Sequence, residues 1–153
     1  TPHANMADLS ALGDGRFDLI FNPVSNVYCP DLATIWKGCA RVLKEGGDLL
    51  AGFMNPAFYL FDHDAIEQGG PMEIAYSLPY SDLDSRPIAE LENLLTANLS
   101  LEYSHSWEGQ LGGQIAAGLA IIGFYEDSWE AEATPLDSYF PLFGVTRGRK
   151  MAL

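Results

Sequence analysis

The sequence predicts an α/β fold in which a largely parallel sheet is flanked by helices. Two short apolar runs, 17–21 and 49–53, have the length of strands that are buried on both faces. Between them, apolar residues recur at helical spacing from 32 to 43. Strand, helix and strand follow one another within ~37 residues, the size of a right-handed βαβ unit. The chain has 153 residues, 48% of them hydrophobic, which is enough for one domain with a core.

The first strand and the first helix have clear boundary signals. Asn22-Pro23 ends the run Phe-Asp-Leu-Ile-Phe. Pro30-Asp31 predicts a helix start, because Pro is tolerated in the first helical turn. The stretch Lys44-Glu45-Gly46-Gly47 is expected to stop the helix, with a glycine in the left-handed cap. The predicted face of this helix consists of Leu32, Ile35, Trp36, Cys39, Val42 and Leu43.

The segment 55–105 has a different character. It is rich in Pro, Gly and aromatic residues, too apolar for a linker and too interrupted for one long element. We predict an ordered, lid-like excursion with a short strand over 73–78. Pro87 opens a helix that is marked by Ile88, Leu91, Leu94 and Leu95, and residues 99–103 predict a further strand.

The last third of the chain predicts a helix and two strands. Trp107, Leu111 and Ile115 mark the helix, which two adjacent glycines weaken and which ends at Gly118. Residues 120–125 predict a buried strand, and the acidic stretch that follows predicts a solvated connection. Residues 139–146 predict the last strand, with a proline that favours an edge or a bulge near its start.

Composition excludes several classes of function. The formal net charge is −13, from 8 Lys and Arg against 21 Asp and Glu. Such an excess repels phosphate backbones and anionic lipid surfaces, so we expect neither nucleic acid nor a membrane as partner. The sequence contains no apolar run long enough to span a bilayer and no secretion signal. Two cysteines, Cys29 and Cys39, lack metal-ligand spacing and are expected to be buried thiols of a cytoplasmic protein.

Most of the common catalytic motifs are absent. The sequence has no G-x-G-x-x-G, no Walker-type loop and no G-x-S-x-G elbow. The histidines His3, His63 and His105 are scattered, and none has a second histidine four residues away. Asp62-His63-Asp64 has the composition of a metal clip. However, alternating residues of an extended segment point in opposite directions, so His63 would face away from the two carboxylates, and we predict an exposed loop. We therefore predict no metal site.

Several motifs together resemble the middle and the end of a class I S-adenosylmethionine-dependent methyltransferase. The family has an acidic turn after its third strand, "FD" with two apolar residues in its fourth strand, and "RVLKPGG" before its fifth. Here Glu45 stands in place of that proline. Later segments resemble the family's approach to its sixth strand and its seventh, antiparallel strand. The matching stretches are Met6–Leu9, Phe17–Pro23, Cys39–Leu50, Tyr103–Gln110, Ala117–Leu119 and Tyr139–Arg147.

The resemblance implies a cofactor and a set of site residues. The cofactor is S-adenosylmethionine, and the pair Asn5-Met6 matches residues that border its adenine. Asn5 stands where the family usually has Asp, and a role as a turn residue is an equal alternative. Asn22, Pro23 and Val24 follow the fourth strand, where a doubly wound sheet binds its ligands, and a turn-forming role is an equal alternative for Asn22. His105 matches a histidine near the substrate, and a neutral imidazole there accepts a proton.

The resemblance also implies that half of the family fold is missing. The glycine-rich loop after the first strand and the acidic residue that binds the ribose have no counterpart here. About 60–80 residues, two βαβ turns, are expected before Thr1. Residues 1–153 then form one Rossmann-like, methyltransferase-like domain without its N-terminal cofactor-binding half. It retains strands four to seven, the last pair antiparallel, and a lid inserted at 55–105. The exposed edge of strand four predicts a homodimer.

Three functions remain open from the sequence. The first is methyl transfer to a small molecule by a longer enzyme, with Tyr28, Phe58, Tyr59 and Tyr76 either lining an aromatic substrate pocket or filling the core. The second is a non-catalytic half-domain that associates with itself or with a partner. The third is a fragment of a nicotinamide-dependent dehydrogenase, which the motif before the fifth strand disfavours.

Overall fold

The computed structural model describes residues 5–130 and 133–152, so that His3, one of the three histidines, lies outside the described residues. Four strands form one sheet: β1 (Phe17–Pro23), β2 (Leu43–Met54), β3 (Leu119–Asp127) and β4 (Phe143–Lys150). Their spatial order is β1-β2-β4-β3. β1 and β2 are parallel, whereas β4 lies antiparallel to both of its neighbours. The predicted α/β class, the βαβ unit and the antiparallel last strand are confirmed.

The helix α1 (Leu32–Val42) connects β1 to β2 and covers one face of the sheet. The Asp31 side chain caps it by accepting from the backbone N–H of Thr34 at 3.2 Å and from the Thr34 hydroxyl at 2.6 Å. Its apolar face packs on the sheet, and Trp36 at the centre is fully buried. The predicted face is confirmed, and it consists of Leu32, Ile35, Trp36, Cys39 and Val42.

The glycines Gly46 and Gly47 do not cap α1, as the sequence analysis expected. The helix ends at Val42 and β2 begins at the next residue. Gly46, with φ +76°, lies within the strand. A Cβ on Gly47 would come within 2.9 Å of the Lys44 carbonyl oxygen and 3.1 Å of the Phe17 carbonyl oxygen. The glycines therefore permit the close approach of β1 and β2 at the start of their pairing.

The segment 55–105 folds as short helices rather than strands. Its helices are α2 (His63–Glu67), α3 (Asp82–Ser85) and α4 (Ile88–Thr96). The strands predicted over 73–78 and 99–103 are wrong: Ile74 and Tyr103 each form only an isolated bridge, to Phe61 and Ser81 respectively. Pro87 does open a helix, as predicted.

Two further boundaries differ from the prediction. The last strand begins at Phe143 rather than at Tyr139, because a 3-10 turn (Pro135–Ser138) precedes it. The helix predicted from Trp107 begins as a π-helical turn (Glu108–Gly112) that continues into α5 (Gly113–Ala116). The π-helical turn and α5 lie on the same face of the sheet as α1. The Trp36 indole N–H donates to the Gly109 carbonyl at 2.9 Å.

β1 lies at one edge of the sheet and exposes large apolar side chains. The exposed fractions are 55% for Leu19 and 69% for Phe21, and Phe17 is also exposed. These residues alternate along the strand and therefore share one face. The apolar surface predicted at this edge is thus present, whereas the burial of both faces that the apolar run 17–21 predicted is wrong, because one face of β1 has no covering element among the described residues. Within the described residues, no helix has the length and hydropathy needed to cross a membrane.

Candidate functional site

The backbone directly after β1 is strained. Val24 adopts φ 60° and ψ 12°, a left-handed conformation that is rare for a β-branched residue. Its N–H is held by the carbonyl oxygens of Asn22 at 3.2 Å and Gly52 at 3.1 Å. Such conformations cost about 1–3 kcal/mol and cluster at ligand sites. The turn lies at the carboxyl ends of β1 and β2, where parallel sheets bind ligands.

A chain of side-chain amides holds Asn22 in place. Its Nδ2 donates to Asn26 Oδ1 at 2.8 Å, and Asn26 Nδ2 donates to Gln110 Oε1 at 3.0 Å. Asn26 and Gln110 are almost completely buried. At the free end of this chain, Asn22 Oδ1 is buried and has no hydrogen-bond partner among the described residues. An orphaned acceptor of this kind is destabilising unless a ligand donates to it.

The amide chain is anchored in the sheet. Gln114 Nε2 donates to the Gln110 carbonyl at 2.9 Å, and the Thr146 hydroxyl on β4 donates to Gln114 Oε1 at 3.0 Å. Gln110 lies in the π-helical turn, and such turns often occur at functional sites. The sequence did not predict a role at the site for Asn26, Gln110, Gln114 or Thr146. A usable signal was the pair of glutamines four residues apart, which places both on one face of the helix.

His105 contacts the turn after β1. Its Nε2 lies 3.1 Å from the carbonyl oxygen of Asn26, so that this nitrogen carries the proton. Burial lowers the pKa of His105, although the carbonyl groups of Asn26 and Cys29 oppose the shift. The imidazole is therefore neutral at neutral pH. The structure brings His105 and Asn22 together through one intermediate residue, Asn26.

The residues expected at the adenine, Asn5 and Met6, lie in the segment that precedes β1. Asn5 is exposed, and its Oδ1 accepts from the backbone N–H of Ala7 at 2.9 Å, the geometry of a turn residue. Met6 is half-buried and packs against the core beneath α1. The segment is fixed to α1 by Arg41, whose guanidinium donates to the carbonyl oxygens of Leu9 at 2.6 Å and Leu12 at 2.9 Å. The sequence analysis had not assigned Arg41 this role.

Three of the four predicted aromatic residues meet in one cavity. Phe58, Tyr59 and Tyr76 line a cavity of about 220 Å³ in the segment 55–105. Tyr28 is exposed and lies in a neighbouring groove instead. The cavity is close to the turn after β1, because Phe58 and Tyr59 belong to the hydrophobic cluster against which Val24 packs.

The side chains of Asp62-His63-Asp64 have separate partners in the structure. His63 begins α2 and stacks on Phe58 with ring centroids 3.6 Å apart. His63 is therefore not part of an exposed loop. Its contacts are nevertheless separate from those of the two neighbouring carboxylates. Asp62 caps α2, whereas Asp64 pairs with Arg86 at 2.9 Å. Over residues 5–130 and 133–152, no group of three metal-ligating side chains occurs.

Comparison with known proteins identifies the fold. The family model described as a methyltransferase domain matches residues 2–51. The chain is 40% identical over 151 residues to the uncharacterized methyltransferase YbaJ of Bacillus subtilis. That match covers 99% of this chain and 58% of the relative, so the chain spans about three fifths of the relative's length.

Solved structures agree with this match. An S-adenosylmethionine dependent methyltransferase from Mesorhizobium loti superposes with a TM-score of 0.65 at 18% identity, covering 95% of this chain and 67% of that one. A SAM-dependent methyltransferase from Methanosarcina mazei gives 0.61 at 17% identity, covering 98% and 66%. At these identities the solved structures establish only the fold. The family model and the Bacillus relative show that the sequence itself is similar to methyltransferases. In sequence and in fold, the chain is thus similar to class I S-adenosylmethionine-dependent methyltransferases, and the comparisons support its assignment to them.

Proposed function

We propose that this chain is the acceptor-side part of a longer enzyme that transfers a methyl group from S-adenosylmethionine to a small molecule. The observation that carries the proposal is the buried, unpaired Asn22 Oδ1 at the carboxyl end of β1. Parallel sheets bind ligands at this edge, and the strained residue Val24 follows Asn22 by two positions, with its N–H held by the Asn22 backbone carbonyl. The strong acidity of the chain favours a small acceptor over a nucleic acid.

The residues present suit the cofactor. Asn22 Oδ1 accepts a hydrogen bond from an N–H or O–H group of the bound molecule, which removes the cost of its burial. Pro23 and Val24 form the adjoining backbone wall, and Asn5 and Met6 remain the proposed border of the adenine. S-adenosylmethionine supplies an electrophilic methyl group on its sulfonium. The residues of this chain hold that group in line with the acceptor and exclude water.

His105 acts in this proposal by positioning the site. Its Nε2 braces the Asn26 carbonyl, and the Asn26 side chain in turn orients Asn22. Its predicted role as proton acceptor for the substrate stays a prediction. A His105→Asn variant whose activity keeps the pH profile of the wild type at a reduced level supports positioning, whereas loss of the ascending limb near neutral pH supports proton transfer.

Calorimetric titration with S-adenosylhomocysteine, the reaction product, tests the cofactor site. We expect micromolar binding by the wild-type chain and at least about tenfold weaker binding by Asn22→Ala, the cost of one lost hydrogen bond to a ligand. Asn22→Ala removes one orphaned acceptor but leaves Asn26 Oδ1 without its donor, so we expect a loss of thermal stability of only about 1 kcal/mol. Asn93→Ala, which removes an exposed amide from α4, is the matched control. No binding to a folded wild-type chain contradicts the proposal for this chain.

The exposed edge of β1 favours a second candidate, self-association by a non-catalytic half-domain. Leu19 and Phe21 present an apolar strip beside backbone groups that have no strand neighbour among the described residues. Sedimentation analysis across a hundredfold concentration range tests it. A dimer that Phe21→Lys dissociates supports the homodimer, and a strictly monomeric wild-type chain at the highest concentration contradicts it.

A further inference from the structure

The cavity in the segment 55–105 has walls of two kinds, aromatic and acidic. Its volume of about 220 Å³ is below the ~300–1,000 Å³ of pockets for drug-sized ligands, so it suits a small molecule. Five aromatic side chains and three carboxylates face it, together with one histidine and one arginine. They are Phe58, Tyr59, Phe61, Tyr76 and Tyr80, then Asp62, Asp64 and Glu102, and His63 and Arg86.

The aromatic rings are fixed at different angles around the cavity. Tyr80 stacks on Tyr59 with centroids 5.3 Å apart and meets Tyr76 at 63° with centroids 5.0 Å apart. Phe58 is in edge contact with Tyr59 on the other side. The face of an aromatic ring carries partial negative charge and attracts cations. Rings held in several orientations around a small volume are the arrangement that binds organic ammonium groups.

The one arginine of the cavity is already neutralised. Arg86 donates to Asp82 at 2.8 Å and Asp64 at 2.9 Å, and it lies 3.4 Å from Glu90. Surrounded by these carboxylates, it has little capacity left to attract an anion. The arginine therefore does not make the cavity a site for negatively charged molecules.

Two carboxylates of the wall remain without a cationic partner. Asp62 accepts from the Ala65 N–H at 3.0 Å, and Glu102 accepts from the Tyr59 hydroxyl at 2.8 Å. Neither forms an ion pair with Lys, Arg or His within residues 5–130 and 133–152. With histidine counted as neutral, the wall carries an excess of two negative charges. Burial and then the Asp62 carboxylate raise the pKa of Tyr76, in line with a negative potential at the cavity.

We propose that this cavity binds a small organic cation, an ammonium group with apolar substituents, and that this cation is part of the methyl acceptor. Only the assignment of the cation to the methyl acceptor rests on the proposed function. The cation site itself is argued from the residues that line the cavity. Its place supports the link: Tyr59 and Tyr80 share a cluster with Val27 of the turn after β1. The aromatic faces desolvate the ammonium, and Asp62 and Glu102 balance its charge.

Calorimetry with a matched pair of probes tests the cation site. Choline and its neutral isostere 3,3-dimethylbutan-1-ol have the same shape and differ in charge. We expect choline to bind at least about tenfold more tightly. Equal affinity of the two, or no binding of choline, overturns the inference. Preference for the anion 3,3-dimethylbutanoate also overturns it and assigns recognition to Arg86.

Variants locate the binding. Asp62→Asn removes a charge but keeps an oxygen that caps α2, so we expect weaker choline binding without loss of fold. Tyr76→Leu should weaken choline binding severalfold, whereas Tyr76→Phe should retain it, because only the ring face is required. Glu126→Gln, at an exposed position of β3, is the charge control and should leave binding unchanged. Choline affinity that is insensitive to Asp62 and Tyr76 places the binding elsewhere and overturns the inference.

The titration with S-adenosylhomocysteine on the same protein separates the two proposals. Product binding without choline preference overturns the cation site and leaves the methyltransferase proposal in place. Choline preference without product binding retains the cation site and removes its assignment to the methyl acceptor. Binding of both, with choline more tightly bound in the presence of the product, supports both proposals at once.

Discussion

Asp82 fixes the segment 55–105, and its replacement by Asn should measure how strongly. The Asp82 side chain is only 4% exposed and accepts from three donors. They are Arg86 Nε at 2.8 Å, the Tyr80 hydroxyl at 2.6 Å and the backbone N–H of Glu102 at 2.7 Å. These contacts join α3 to the chain before and after it. An amide in this position would keep one oxygen and turn an NH₂ group toward another donor.

The expected loss follows from these three contacts. Hydrogen bonds to a charged group contribute about 1.5–3 kcal/mol each, and breaking a buried ion pair costs about 3–5 kcal/mol. Arg86 retains Asp64 and Glu90, and its side chain is 26% exposed, so water compensates part of the loss. We therefore expect Asp82→Asn to lower the free energy of unfolding by about 2–3 kcal/mol, and Tm by about 5–10 °C.

Urea unfolding followed by circular dichroism measures this change, and limited proteolysis shows where it occurs. Cleavage of Asp82→Asn should accelerate within 55–105 while the sheet stays protected. Asp84→Asn, an exposed carboxylate on the same helix, is the control and should remain within about 0.5 kcal/mol of the wild type. Equal stability of the two variants would show that Asp82 does not anchor the segment, and the reasoning from its three donors would be refuted.

Two further predictions concern the core and the sheet. Gly113→Ala should destabilise the protein by about 1–3 kcal/mol, because a Cβ would lie 2.6 Å from Trp36 Cδ1, whereas Gly112→Ala meets only ordinary contacts and should stabilise it by up to about 1 kcal/mol. Thermal unfolding of both variants checks the opposite signs, and equal signs would contradict the packing argument. The hydrogen bond from Arg149, the cross-strand partner of Asp48 on β4, and then the contacts of Arg147 lower the pKa of Asp48 from 3.8 to about 2. Because the folded pKa is the lower one, the stabilisation by Asp48 is present above pH 4 and lost as the pH falls from about 4 to about 2. Asp48→Asn should therefore differ from the wild type in unfolding at pH 6 and converge with it at pH 2, and a constant difference would contradict the assignment.

The parts of the fold that the sequence predicted well are those whose signals are local. β1, α1 and β2 each have a period or a boundary residue within their own few residues, such as the capping Asp31. The strands predicted over 73–78 and 99–103 were wrong for the complementary reason. A strand exists only where a neighbour pairs with it, and Ile74 and Tyr103 find single bridging residues rather than strands.

The site residues named from the sequence stay a prediction, and the network that holds them was not foreseen. Asn22 to Val24 were placed from the resemblance and from the rule for parallel sheets, and the orphaned Asn22 Oδ1 supports that placement. The network behind it was not predictable, since Asn26 and Gln110 are 84 residues apart. Hydrophobic spacing also predicted the wrong buried face for the helix that was expected from Trp107. Ile115, one of its apolar marker residues, is 60% exposed, whereas Gln110 and Gln114 are buried.

Three features of the turn after β1 are unfavourable for a protein that needs only to fold. Val24 is held at a positive φ, Asn22 buries an unpaired oxygen, and Asn26 and Gln110 place amides where apolar side chains would pack. Each is destabilising by itself, and all three occur within one hydrogen-bonded network. Their shared consequence is that one acceptor is held rigidly at the carboxyl edge of the sheet. Preorganisation of an acceptor lowers the entropy lost when a ligand binds. The presence of three destabilising features at this turn is therefore the strongest structural argument that the chain retains a ligand site rather than only the scaffold of one.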